Sequence, residues 1–292
     1  MFFNKTDVYA CFEEYYMPSR WPRKNMKKED VIPSFVSTMS KGNKSFLADC
    51  KYELNVPYGE TEKAKIDFFY PMENNENIDG LPVVIFIHGG YWKEGDRSFY
   101  SCIAKPYSRQ PCIVAVLGYD LSNEDNKVPD IEKQCVKAFE FLQKKFPTSK
   151  WIVTGHSAGA YLTCCIASYD HLSKNIHAIL PLSGIYNLDD LTMTSTSTAL
   201  LLSDLKSQNL LLRKLSLADS QKVYMFLGQY ESPVFHYQAI KYYQKLFDDL
   251  IDVTLEVIPG EDHFSLVENA SIGESPIAKL IIKLLKSMVV VK

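Results

Sequence analysis

The sequence predicts an α/β fold built on an eight-stranded, mostly parallel sheet with helices on both faces. Three observations carry this reading. Six short runs are almost wholly apolar: Val83–Ile87, Cys112–Leu117, Trp151–Thr154, His177–Leu182, Val223–Leu227 and Val253–Ile258. Stretches of helical length alternate with them: Ser98–Arg109, Asp130–Phe146, Ala158–Asp170, Pro233–Leu250 and Ile277–Val289. Strands that are apolar throughout belong to a parallel sheet covered on both faces. Two earlier runs, Cys50–Val56 and Lys65–Tyr70, instead alternate polar and apolar residues and read as antiparallel edge strands.

The elements follow in order. Residues 1–49 lack strong alternation and read as an N-terminal arm packed on the main body. A short helix over Asp7–Tyr16 must end before Pro18. Residues 188–221 are too long for a simple connection between the sixth and seventh strands. They read as a small helical lid or as two ordinary surface helices. The whole chain, 1–292, is expected to form one domain.

Composition narrows the functions. With 46% hydrophobic and 23% charged residues, the chain suits an ordinary globular protein. A net charge of -3 leaves no electrostatic footprint for nucleic acid or an anionic membrane. No apolar run is long enough to span a bilayer. The first residues lack the sustained apolar core of a signal peptide, so a cytoplasmic location is expected. Seven scattered cysteines without a C-x-x-C pair read as free thiols. No His/Cys grouping has metal-site spacing, and neither metal nor cofactor is expected. The expected partners are a small-molecule substrate and, at most, a second copy of the chain.

The chemistry centres on Trp151-Ile-Val-Thr-Gly155-His156-Ser157-Ala158-Gly159-Ala160. A strand runs into G-x-S-x-G and then into a helix. This is the context of a nucleophile elbow, in which bare neighbours such as Gly155 and Gly159 let strand and helix close around an exposed serine. An elbow after the fifth of eight strands is the α/β-hydrolase arrangement. A serine nucleophile needs a base. The chain order in this fold is Ser, acid, His. Of the six histidines, only His236 and His263 lie far enough downstream, and His236 falls inside a helix. His263, in the loop Pro259–Phe264 after the last strand, is the base. Glu231, three residues after Gly228, is the candidate acid; Asp189 and Asp190 after the sixth strand are the alternatives. Asp262 reads as a loop-shaping residue. His88-Gly89-Gly90 after the third strand matches the oxyanion-loop signature, with Gly89, Gly90 and Ala158 as N–H donors. His88 reads as structural. Tyr91 and Trp92 read equally as substrate walls or as core aromatics.

These residues resemble the arylformamidase, or kynurenine formamidase, family. Tyr16-Met-Pro-Ser-Arg-Trp21 resembles its Y-S-P-S-R-W, and Val56–Gly59 resembles V-P-Y-G. His88–Trp92 matches H-G-G-Y-W, and Gly155–Ala160 matches G-H-S-A-G-A. Ser183–Leu188 resembles S-G-I-Y-D-L, Gly228–Phe235 resembles G-Q-x-D-S-P-E-F, and Asp262–Phe264 matches D-H-F. The resemblance implies hydrolysis of N-formyl-L-kynurenine to L-kynurenine and formate without a cofactor, with Ser157, Glu231 and His263 in the triad positions. Glu231 stands where the family has Asp, and the segment before the seventh strand lacks the family's Pro-rich stretch.

Overall fold

The structure, a computed structural model, describes residues 5–73, 78–195 and 209–288. Its sheet has eight strands: β1 Lys51–Pro57, β2 Lys65–Tyr70, β3 Val83–Ile87, β4 Ile113–Leu117, β5 Trp151–His156, β6 Ile176–Leu182, β7 Lys222–Gly228 and β8 Asp252–Ile258. Their order is β1-β2-β4-β3-β5-β6-β7-β8. β2 pairs antiparallel with β1 and β4, and every later pairing is parallel. Only β1 of the two alternating runs is an edge strand. β2 lies one place inside, with its central residues buried.

The described helices are α1 Lys5–Tyr15, α2 Lys28–Leu47, α3 Val128–Lys145, α4 Ala158–Ile166, α5 Asp170–Ser173, α6 Pro233–Asp248, α7 His263–Ala270 and α8 Pro276–Met288. Successive strand residues face opposite layers. On β3, Val83, Ile85 and Ile87 join the core under α3, α4 and α6, while Val84 and Phe86 join the core under α2, α7 and α8. All seven cysteines are free, and Cys164 and Cys165 are buried core residues of α4. No helix among the described residues is long and apolar enough to cross a membrane.

Two elements differ from the sequence reading, and a third lies partly outside the described residues. The arm contains α2, a 20-residue helix whose buried residues Val31, Phe35, Met39, Asn43 and Phe46 recur every three or four positions. Such spacing makes one face of a helix. The expected helix over Ser98–Arg109 is a kinked 3₁₀ segment, Arg97–Tyr107. Asn43 of α2 explains the kink. Its Nδ2 donates to the carbonyls of Ser98 (3.2 Å) and Phe99 (2.6 Å), and its Oδ1 accepts from the N–H of Cys102 at 2.8 Å. The Asn43 amide thus occupies the slot of the 98-to-102 helical hydrogen bond. Of the expected lid, residues 196–208 lie outside the described residues. The described remainder carries two 3₁₀ turns, Asp189–Met193 and Leu210–Leu212, tied by Asn209 Nδ2 to the Asp189 carboxylate at 3.1 Å.

Asn43→Leu should therefore lower stability by about 1–3 kcal/mol, the cost of stranding buried donors and acceptors. Urea denaturation reads this as a lower midpoint at unchanged slope. An unchanged midpoint would show that the segment closes its own hydrogen bonds.

Candidate active site

Parallel register brings the site together. Ile87 of β3 pairs with Gly155 of β5, His156 with Leu182 of β6, and Gly228 of β7 with Ile258 of β8. The strands end level, so the segments that follow them share one edge, where ligands bind in open α/β sheets.

Ser157 stands between β5 and α4 with φ 57° and ψ −117°, a region costly for a residue with a Cβ. The fold holds it there by close approach. A Cβ added at Gly159 would lie 2.0 Å from the Ile87 carbonyl oxygen, so only glycine lets α4 press against the end of β3. The Ser157 N–H donates to the Leu182 carbonyl at 2.9 Å. Gly89 packs against the same turn, where a Cβ would come within 2.7 Å of the His156 carbonyl oxygen. The next residues, Gly90, Tyr91 and Trp92, all have positive φ, at 111°, 50° and 57°. The loop therefore folds back on itself, and the N–H groups of Lys93 and Glu94 both donate to the Gly90 carbonyl at 2.9 Å.

Glu231 and His263 meet. The Nδ1–H of His263 donates to Glu231 Oε1 at 2.8 Å, with side chains only 4% and 0% exposed. That bond leaves Nε2 with the free lone pair. His263 is the first residue of α7, not a loop residue. Its N-cap is Asp262, whose carboxylate accepts from the N–H groups of Phe264 and Ser265. The other carboxylate oxygen of Asp262 accepts from the Arg23 N–H at 2.9 Å, which ties the arm to this turn. The alternative acids are engaged elsewhere: Asp190 with the Tyr16 hydroxyl at 3.3 Å, Asp189 with Asn209. His236 is half-buried on α6, with Nε2 3.3 Å from the Gln229 carbonyl oxygen.

A cavity of about 490 Å³ opens over this edge. Ser157, His263, His156, Gly89 and Gly90 line its floor. Its far wall comes from the arm: Met17, Pro18 and Ser19, with Ile32, Phe35 and Val36 of α2. Sequence reading gave these residues no role. The available signals were the Tyr16–Trp21 motif and the apolar spacing of α2. Of the two aromatics left open, Tyr91 lines the cavity and donates its hydroxyl to the Tyr16 carbonyl at 2.5 Å. Trp92 is fully buried, edge-on to Tyr161, and is a core residue. Of the two, only Tyr91 faces the cavity; successive side chains on the loop point to opposite sides, and Trp92 packs into the core.

Residues 66–211 match the BD-FAE family model. The kynurenine formamidase of Salmo salar is 30% identical over 286 residues, which cover 94% of this chain and 95% of the salmon protein. The chain belongs to the kynurenine formamidase family. Over the matched residues it belongs equally to BD-FAE. The Danio rerio kynurenine formamidase is 28% identical with the same coverage. A crystal structure from Silicibacter sp. TM1040 shares the α/β-hydrolase fold at a TM-score of 0.75, with 23% identity over 96% of this chain and 98% of that one.

Two further histidines frame the site. His88 stacks flat on Tyr119, with ring centres 4.2 Å apart, and its Nδ1–H donates to the Gly89 carbonyl at 2.9 Å. Burial holds its imidazole down at about 4, so it is neutral and acts as a wedge under the loop. His156 donates Nε2–H to the His263 carbonyl at 2.8 Å, and burial pushes it well below the ordinary range.

The His88 value sets a pH dependence. Below pH 6.5 the unfolded chain takes up this proton, whereas the folded chain takes it up only near 4. The stabilisation is complete above pH 6.5 and is lost as pH falls towards 4. The loss amounts to about 3 kcal/mol. His156 acts in the same direction. Urea denaturation from pH 7 to pH 4 should show this loss. In His88→Gln the slope of stability with pH over this range should be shallower by about one proton. Equal slopes in the two proteins would rule out the linkage.

Proposed function

We propose that this protein hydrolyses N-formyl-L-kynurenine to L-kynurenine and formate by serine catalysis. The observation that carries the reading is the buried Glu231–His263 pair, which opens into the same cavity as a serine on a positive-φ elbow. Similarity to kynurenine formamidases along nearly the whole chain supports the substrate.

In this mechanism Ser157 Oγ attacks the formyl carbon while His263 Nε2 takes the hydroxyl proton. Glu231 orients the imidazole and stabilises its charged form. The N–H groups of Gly89, Gly90 and Ala158 face the oxyanion of the tetrahedral intermediate. When the C–N bond breaks, the imidazolium returns its proton to the aryl amine, and L-kynurenine leaves. Water, deprotonated by His263, then attacks the formyl-serine and releases formate. A formyl group carries only hydrogen on its carbonyl carbon, so the acyl side can be as tight as the packing of Gly89 against Ser157 makes it. The larger leaving group matches the aromatic side of the cavity, where Phe35 lies 5.5 Å from Phe99 and 5.2 Å from Phe264.

The test is absorbance-monitored release of L-kynurenine from N-formyl-L-kynurenine. Ser157→Ala and Glu231→Gln should each lower kcat by roughly 10⁴, with the fold intact. Asp189→Asn should change it little. Clear cleavage of aryl esters without turnover of the formamide would keep the serine mechanism and overturn the substrate. Wild-type rates in Ser157→Ala would overturn the mechanism itself.

A further inference from the structure

We propose that Lys93 and Glu94 form the subsite for the charged amino-acid end of the substrate. The Lys93 ammonium takes an α-carboxylate, and the Glu94 carboxylate takes an α-ammonium. The inference rests on the proposed substrate class and deepens it.

The first observation is electrostatic. The cavity floor and the arm-side wall carry apolar or uncharged groups. Apart from the histidines, Lys93 and Glu94 are the only charged residues lining it among the described residues. Both are exposed at the rim, and neither side chain makes an ion pair or hydrogen bond among the described residues. Their neighbour Asp96 differs, because its carboxylate binds Lys63 Nζ at 3.1 Å and the Ser98 hydroxyl at 2.7 Å. A free cation next to a free anion complements a zwitterion, and both charges stay hydrated until one arrives.

The second observation is geometric. Glu94 N–H donates to the Gly90 carbonyl, so the two residues are one tight turn apart, roughly 6 Å. Gly95 closes the turn at φ 97°, where a Cβ would lie 2.8 Å from the Gly89 carbonyl oxygen. The charged pair is therefore fixed to the same loop as the proposed oxyanion donors. In the proposed substrate, the ring carries the formamide nitrogen and, beside it, a three-carbon chain ending in the α-amino acid. With the formyl group at Ser157 and the ring along Phe99, that chain runs outward towards Lys93 and Glu94.

Calorimetric binding of L-kynurenine to the full chain tests this, with 2-aminoacetophenone as a probe that keeps the aryl ketone and lacks the amino-acid end. A charge-assisted contact at a half-open rim should raise the Kd of L-kynurenine about five- to tenfold in Lys93→Met. Glu94→Gln should raise it about threefold. The Kd of 2-aminoacetophenone should stay within about twofold of wild type in both. Three results would overturn the subsite: no binding of L-kynurenine to wild type, an unchanged Kd in both variants, or an equal loss for both probes. Turnover of N-formyl-L-kynurenine by the wild type is measured in parallel. Charge-dependent binding without turnover would keep the subsite and remove the formamidase reading. Turnover with charge-independent binding would do the reverse.

Discussion

The contact between Gly159 and the end of β3 governs the architecture of the site. A helix that starts one residue after Ser157 must pass close to the Ile87 carbonyl, and only a residue without a side chain allows it. The approach fixes the elbow, and the elbow forces Ser157 into a backbone region that costs about 1–3 kcal/mol. The parallel sheet supplies that energy. β5 is hydrogen-bonded on both sides and buried along its whole length, and Ser157 itself is tied to β6 through Leu182. Strain at one residue is thus held by a rigid sheet beneath it.

The same crowding shapes the neighbouring loop. Gly89 lies against the elbow, three positive-φ residues follow it, and His88 is wedged beneath between aromatic rings. The loop is held by the packing of uncharged groups, and for that reason burial must keep His88 neutral. By contrast, the cavity wall is built from chain far away in sequence. Tyr16 joins the oxyanion loop, the Asp189–Met193 turn and α6: its carbonyl accepts from Tyr91, its hydroxyl donates to Asp190, and that hydroxyl accepts from Gln238 Nε2 at 2.7 Å. The arm is therefore a structural part of the cleft.

Much of this was legible in the chain. β3 to β7 declared themselves because burial on both faces demands continuous apolar residues, alternation separated β1 and β2 from the rest, and β8 reads as apolar although it is a largely uncovered edge strand. G-x-S-x-G, H-G-G and a histidine after the last strand sit where level strand ends bring them together. The 3₁₀ segment was not legible, because its shape depends on Asn43, more than fifty residues away. α2 was obscured by Pro33 and Gly42 within it, and its polar Asn43 interrupts the apolar stripe. Trp92 and Tyr91 could not be separated, since both are aromatic and both take positive φ, and only packing against Tyr161 or the cavity tells them apart.

The sequence by itself determined the succession of strands, the elbow, and which residue types could carry acyl-transfer chemistry. These follow from local rules: period, bare neighbours around a strained turn, and chain order. Tertiary structure alone decided that Glu231 rather than Asp189 or Asp190 reaches His263, and that the arm forms the cavity wall. Those choices depend on distances across the sheet edge. Such distances are set by packing between segments remote in the chain, and no local pattern encodes them.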